Sequence, residues 1–257
     1  MSPGGAMSPI WFFWAWAALP LYLAGIFNRR FLYAGCLAQA AYLLARGAMI
    51  GRVPLVGPHD TLIFLSASLA GFSAFFHAEP GKIKMYRVLI GALAALFSVS
   101  AMLAKPFSGA LPPVLSTYWF ELHVGLSFFS YAFFGIGGVL GILYFLNLER
   151  PDGSIDKNKA GIEKSQYRFI LTGYLLFSVA MIAGGVWAYL AWGTYWLWTA
   201  KELWTSIVWL FYSLYLHLRL RPGWYGKRTA IAGTAGFILV LFTYLGVGLL
   251  MKSSHTF

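Results

Sequence analysis

Long apolar runs alternate with short polar breaks along the whole chain: Ile10–Phe27, Phe31–Ala48, Thr61–Phe76, Val88–Leu103, Tyr118–Leu148, Phe169–Ala191, Leu203–Leu218 and Ile231–Met251. A helix needs about 20 apolar residues to cross the hydrocarbon core of a bilayer. In lipid, only a helix or a closed barrel satisfies its own backbone polar groups. The runs therefore predict an all-α integral membrane protein: a bundle of about eight transmembrane helices with an external Trp-rich segment. Residues 1–257 read as a single polytopic membrane domain. The first run follows no basic stretch, so it reads as a retained span and not as a signal peptide. The polar stretch Arg150–Arg168 contains the turn signal Pro151-Asp152-Gly153 and reads as a loop. His77 and Glu79 close the third run.

Charge orients these runs. Arg29, Arg30, Lys82, Lys84, Arg87, Arg150, Lys157, Lys159, Lys164, Arg168, Arg219, Arg221, Lys227 and Arg228 fall in breaks on one side, fourteen in all. The other side holds five, Arg46, Arg52, Lys105, Lys201 and Lys252. The positive-inside rule places the fourteen in the cytoplasm. Both termini then face outward, on the periplasmic side of an inner or plasma membrane.

Composition agrees. Hydrophobic residues make up 60% and charged residues 11% of the chain, whereas soluble domains carry about 25% charge. The net charge of +11 follows from the cytoplasmic breaks, where the partners are anionic lipid heads of the bilayer and not nucleic acid. The single cysteine, Cys36, excludes a disulfide framework or a CxxC site within the chain.

One stretch is not generic. Residues 187–219 read WAYLAWGTYWLWTAKELWTSIVWLFYSLYLHLR. Within it, Trp192–Trp204 lies on the outer side and holds Trp192, Gly193, Tyr195, Trp196, Trp198, Lys201, Glu202 and Trp204. Interfacial aromatic belts account for one or two tryptophans in any membrane protein. Four in thirteen residues suit a flat apolar ligand with polar edges, and haem is such a ligand. Of the five histidines, His123 sits near the outer end of the fifth run and His255 lies four residues beyond the last. Both end on the side of the Trp-rich segment. Two neutral imidazoles facing one another give haem iron two axial ligands. Taken singly, each is an interfacial side chain or, for His255, part of a chain end. His217 lies near the cytoplasmic end of the seventh run beside Arg219; it is a functional candidate or a snorkelling interfacial histidine.

These residues resemble the CcsA/ResC family of cytochrome c biogenesis proteins, within the tryptophan-rich (WWD motif) haem-handling superfamily. WGTYWLWTAKELW with TSIVWLFYSLYLHLR looks like the family signature and the helix after it. ELHVGLSFFSYAFFG (Glu121–Gly135) looks like its first external-histidine helix, and LGVGLLMKSSH (Leu245–His255) like its last. The strongest resemblance covers 118–255, with GRVPLVGPHDTLIFLS matching weakly upstream. The resemblance implies that His123 and His255 are external axial ligands of haem b iron, bound or in transit. It implies that His217 is a membrane-embedded, transient iron ligand. Where the family carries an acid followed by Pro, this chain has Thr199 and Ala200; it also has Tyr189-Leu190 where polar residues are usual.

The resemblance implies a haem-handling or haem-export subunit of a cytochrome c assembly complex, presenting haem at the outer face through two histidines and the Trp-rich platform. Haem would arrive near His217 and move outward. The partners implied are haem, a CcsB/ResB-like membrane subunit and apocytochrome c, whose CxxCH thiols are the reactive groups. The chain would be a subunit of a holocytochrome c synthase without a catalytic thiol or acid/base constellation of its own. Lys201, Lys252 and Arg52 are candidates to pair with propionates, or else ordinary interfacial cations. A HemX-like paralogue, acting in haem-synthesis control or as a haem sensor, is the alternative. A b-type electron-transfer cytochrome fits less well, because such bundles bury bis-histidine haem between helices and both candidate ligands here lie at helix ends.

Overall fold

A computed structural model describes the backbone of residues 9–76, 80–146 and 157–247. Among these residues eight α-helices follow in chain order: α1 Pro9–Ala24, α2 Arg29–Ile50, α3 Pro58–Phe72, α4 Pro80–Leu103, α5 Tyr118–Leu146, α6 Lys157–Trp192, α7 Ala200–Leu218 and α8 Lys227–Leu241. Each contains most of one predicted apolar run. The protein is an α-helical membrane protein. Among the described residues four segments are long and apolar enough to cross a bilayer: Lys84–Leu103, Tyr118–Leu146, Lys159–Trp192 and Lys227–Gly246. His77, Glu79, Lys252 and His255 lie outside the described residues.

Two boundaries correct the sequence reading. The expected loop Arg150–Arg168 is helical from Lys157 onward, so α6 runs 36 residues, about 54 Å at 1.5 Å per residue. The reason is periodicity. Ile162, Glu163, Gln166, Phe169 and Ile170 face inward while Lys164 and Arg168 face outward, a 3.6-residue pattern that a mean over the stretch hides. Likewise α4 starts at Pro80 and not at Val88, with Pro in the first turn, where its missing N–H is harmless.

The chain forms two compact units, Met1–Ala110 and Leu111–Phe257. The first packs α1 to α4 around an unusually polar interior. Gln39, Tyr42 and Arg46 recur every three or four residues on the buried face of α2. Tyr22 donates to Gln39 Oε1 (2.7 Å), and the Gln39 amide donates to Ser98 Oγ (2.8 Å). Arg46, one of the five basic residues of the other side, is 1% exposed and forms a 2.6 Å ion pair with the fully buried Asp60. It also donates to the Phe107 carbonyl (2.8 Å). A charge enters such an interior only when paired.

In the second unit α6 and α8 pack against α5, and small residues set how closely. A Cβ added at Gly137 would lie 2.7 Å from Ile170 Cγ1, and one at Gly138 would lie 2.9 Å from Phe237 Cβ. Small residues let membrane helices approach to backbone contact in this way. The Gln166 amide crosses from α6 to the Gly137 carbonyl (3.0 Å). After Leu241, α8 loosens into a π-helical turn, Phe242–Gly246, a local form that often marks functional sites.

Candidate functional site

The end of the second unit where α5 begins gathers the first half of the predicted site. Ser116–Tyr118 leads into α5, whose second turn carries His123. Its Nδ1 lies 2.7 Å from the Ala180 carbonyl of α6. A carbonyl oxygen only accepts, so Nδ1 carries the proton and donates it. That fixes the tautomer and leaves the Nε2 lone pair for a metal. Histidine ligands are commonly held in this way, the second ring nitrogen donating to a carbonyl. Room for the ring comes from Gly184, where a Cβ would fall 2.6 Å from Nδ1. Trp187 lies nearly parallel to the imidazole, 17° and 6.2 Å between centroids. Its own Nε1 donates to the Val114 carbonyl (2.7 Å), which clamps the segment before α5 onto α6. The chemistry of His123 thus fits haem iron; its predicted opposite ligand, His255, lies outside the described residues.

The Trp-rich segment leaves α6 through Gly193, whose φ of +74° turns the chain. Trp192 packs edge-on against Trp187 at 4.9 Å. Tyr195 stacks on Tyr189 of α6 at 4.6 Å. Trp204 meets Phe242 of the π-turn at 4.6 Å, and Thr194 Oγ1 donates to the Trp196 carbonyl (3.2 Å). Trp198 is different. Its φ is +58°, a left-handed conformation that costs a non-glycine residue about 1–2 kcal/mol, and its side chain is 69% exposed. Strained backbone of this kind clusters at active sites and ligand clamps.

Thr199 and Glu202, which follow Trp198, act on the backbone. Thr199 is the N-cap of α7: its hydroxyl accepts from Glu202 N (3.3 Å) while Glu202 Oε2 accepts from Thr199 N (2.8 Å). The Glu202 carboxylate also accepts from Leu197 N. This reciprocal capping box satisfies amides that the helix leaves open. The carboxylate beside Lys201 in sequence is thus engaged by backbone N–H groups. Thr199 occupies the position where the family carries an acid, and both residue types make good N-caps.

His217 sits in the last turn of α7, exposed, on the same outward face as Leu210 and Leu214. His59, in the first unit, is a saturated core histidine. Its Nδ1 donates to the Ala101 carbonyl (2.9 Å) and its Nε2 accepts from Tyr42 (2.8 Å). Arg52 lies over the Phe107 ring and donates to the carbonyls of Phe107 and Gly109. Sequence reading missed Trp187, the tryptophan that touches His123, although it opens the aromatic run WAYLAW; its spacing from Trp192 was the available signal. Ala180 and Gly184 carried no such signal.

Residues 55–255 match the family described as Cytochrome C assembly protein. The chain is 31% identical over 250 residues to the cytochrome c biogenesis protein CcsA of Chlamydomonas reinhardtii, covering 93% of this chain and 68% of that one. It is 34% identical to the CcsA protein of Guillardia theta, covering 86% and 82%. It is 29% identical to that of Prochlorococcus marinus (strain MIT 9312), covering 99% and 94%.

Proposed function

Because this chain belongs to the cytochrome c assembly protein family, we propose that it is the haem-handling subunit of a cytochrome c assembly complex. Haem is its cargo, held at the outer face between His123 and His255 against the Trp192–Trp204 segment, with His217 as a transient ligand at the cytoplasmic end. Iron is the electrophile that the two imidazoles hold. The chain's own contribution is orientation, and the thiols that react belong to apocytochrome c. A CcsB/ResB-like membrane subunit completes the complex. All eight helices span an inner or plasma membrane as one polytopic domain, with both termini and the Trp-rich segment on the periplasmic side.

One observation carries this reading. His123 Nδ1 donates to the Ala180 carbonyl at 2.7 Å, so that Nε2 alone is presented as a ligand. The exposed, strained Trp198 of the Trp-rich segment supports the same reading. So does the course of α8, whose Tyr244 lies edge-on to Phe128 of α5 at 5.0 Å, one to two turns from His123 and eleven residues before His255.

The test is the absorption spectrum of purified haem-loaded protein. His123→Ala and His255→Ala should each lose haem or turn a six-coordinate spectrum five-coordinate, and added imidazole should restore it. If both variants keep an unaltered six-coordinate spectrum, the site does not exist. The Thr199-Ala200 departure favours the HemX-like alternative, while the shared name of the relatives favours cytochrome c biogenesis. Holocytochrome yield in a strain lacking this chain separates the two.

A further inference from the structure

The interior of the second unit contains a seam of polar groups, running up to His123, whose other members the haem reading does not use. On α7, Tyr212, Tyr215 and Arg219 follow one another at three- and four-residue spacing along the inner face. On α5, His123, Ser127, Ser130 and Phe134 do the same. The two rows meet where Tyr212 stacks on Phe134, with centroids 3.8 Å apart and planes within 5°. Among the described residues, Ser130 Oγ, Tyr212 Oη, Tyr215 Oη and Arg219 Nε are buried atoms without a protein hydrogen-bond partner. Ser130 and Tyr212 are 0% exposed and Tyr215 3%.

A dry, apolar slot of this shape is filled equally well by phenylalanine, and Phe134 and Phe177 do so next door. A hydroxyl kept there without a protein partner is costly, and buried polar groups are satisfied by ordered water where protein atoms do not serve. One such atom says little. Four on two rows that meet at the Phe134–Tyr212 stack, three of them in succession on one row, say more. At the α7 end the seam meets a charged gate. Arg219 pairs with Glu163 (3.1 Å), Arg219 is 26% exposed, and Thr229 donates to the same carboxylate oxygen (3.2 Å). At the α5 end Ser127 donates to the His123 carbonyl (2.7 Å).

We propose that a file of internal water runs along this seam, held by Ser130, Tyr212, Tyr215 and Arg219. It enters at the Glu163–Arg219 pair and leads toward the turn of α5 that carries Ser127 and His123. The file does not depend on haem binding: it follows from these buried polar atoms having no protein partner. Its ligand is water, and its function is to hydrate the interior of the unit from the Glu163 end.

The chain contains its own control. Tyr22 and Tyr42 are buried to the same degree, 0% and 1% exposed, but their hydroxyls are engaged by Gln39 and His59. The full-length chain in lipid nanodiscs is exposed to millisecond X-ray pulses, which make hydroxyl radicals from bound water, and tyrosine oxidation is read by mass spectrometry. Tyr212 and Tyr215 should oxidise several-fold faster than Tyr22 and Tyr42. Equal or slower oxidation at Tyr212 and Tyr215 would overturn the file. In Tyr215→Phe, a conservative change that keeps the ring, oxidation of Tyr212 should fall severalfold because the file is interrupted upstream. An unchanged Tyr212 rate in that variant would show that the two hydroxyls do not share one file.

Discussion

His123 and Ala180 are joined across α5 and α6 by a 2.7 Å hydrogen bond from ring to backbone, and Gly184, one turn further along α6, leaves the space the ring occupies. Gly184→Ala should therefore act on the site without removing any proposed ligand. The new Cβ would lie 2.6 Å from Nδ1, so the ring must turn and its bond to Ala180 must lengthen. Loss of a partner that orients a ligand typically lowers metal affinity about 10- to 100-fold. Haem titration of the purified variant should show a weakening of that order with the axial ligand set preserved. Wild-type affinity would remove Ala180 from the site.

Thr199 gives a second test, on stability. Thr199→Ala removes the N-cap of α7 and should lower stability by about 0.5–2 kcal/mol, measured as a lower melting temperature in detergent. Thr199→Asp, which restores the acid of the family, should melt within a degree or two of the parent, because aspartate caps as well as threonine. A large loss with Asp would mean that the Thr199 methyl group or its neutrality matters.

Trp198 should separate stability from binding. Glycine adopts φ > 0 without strain but adds chain entropy to the unfolded state. Since the Trp198 ring is mostly exposed, Trp198→Gly is expected to change stability by less than about 1 kcal/mol. Haem retention during gel filtration should nonetheless fall. Parallel losses of both would mark Trp198 as a packing residue.

His59 is the internal control among the histidines. His59→Ala strands the Tyr42 hydroxyl, worth about 1–3 kcal/mol when buried unpaired, while the Ala101 carbonyl keeps its bond from Ala104 N. Thermal unfolding should show a loss of about 2 kcal/mol or more, while the haem spectrum of the folded fraction stays that of the parent. A changed spectrum would bring His59 into the haem site.

Orientation can be read with reporter fusions. The fourteen-to-five division of basic residues predicts that fusions after Gly153 and after Phe257 report opposite sides of the membrane. Reporters on the same side would overturn the arrangement and separate His255 from His123.

The order of the helices was legible because each apolar run is long enough to form one helix. Their ends were not. Lys157 to Arg168 looks like a loop by mean polarity, yet its inward residues Ile162, Gln166 and Phe169 keep helical phase. The Thr199–Glu202 box is a local pattern and stood open to reading; it was obscured by comparison with an acid expected at that position. The burial of Arg46, one of the five basic residues of the other side, was not legible because its partner, Asp60, lies fourteen residues away on another helix. The role of Gly184 depends on where α5 packs, 57 residues upstream at the His123–Ala180 bond. No spacing rule reaches that far.

One unbroken helix, α6, supplies both the Ala180 carbonyl that sets His123 and the Glu163 carboxylate that pairs with Arg219. Seventeen residues separate them, about 25 Å along a rod without an internal proline. The two ends are therefore mechanically geared. A rotation of α6 about its axis that shifted the imidazole would turn Glu163 through the same angle and strain its grip on α7. A turn of α6 at Ala180 is thereby carried to Glu163, with no moving part other than the shaft between them.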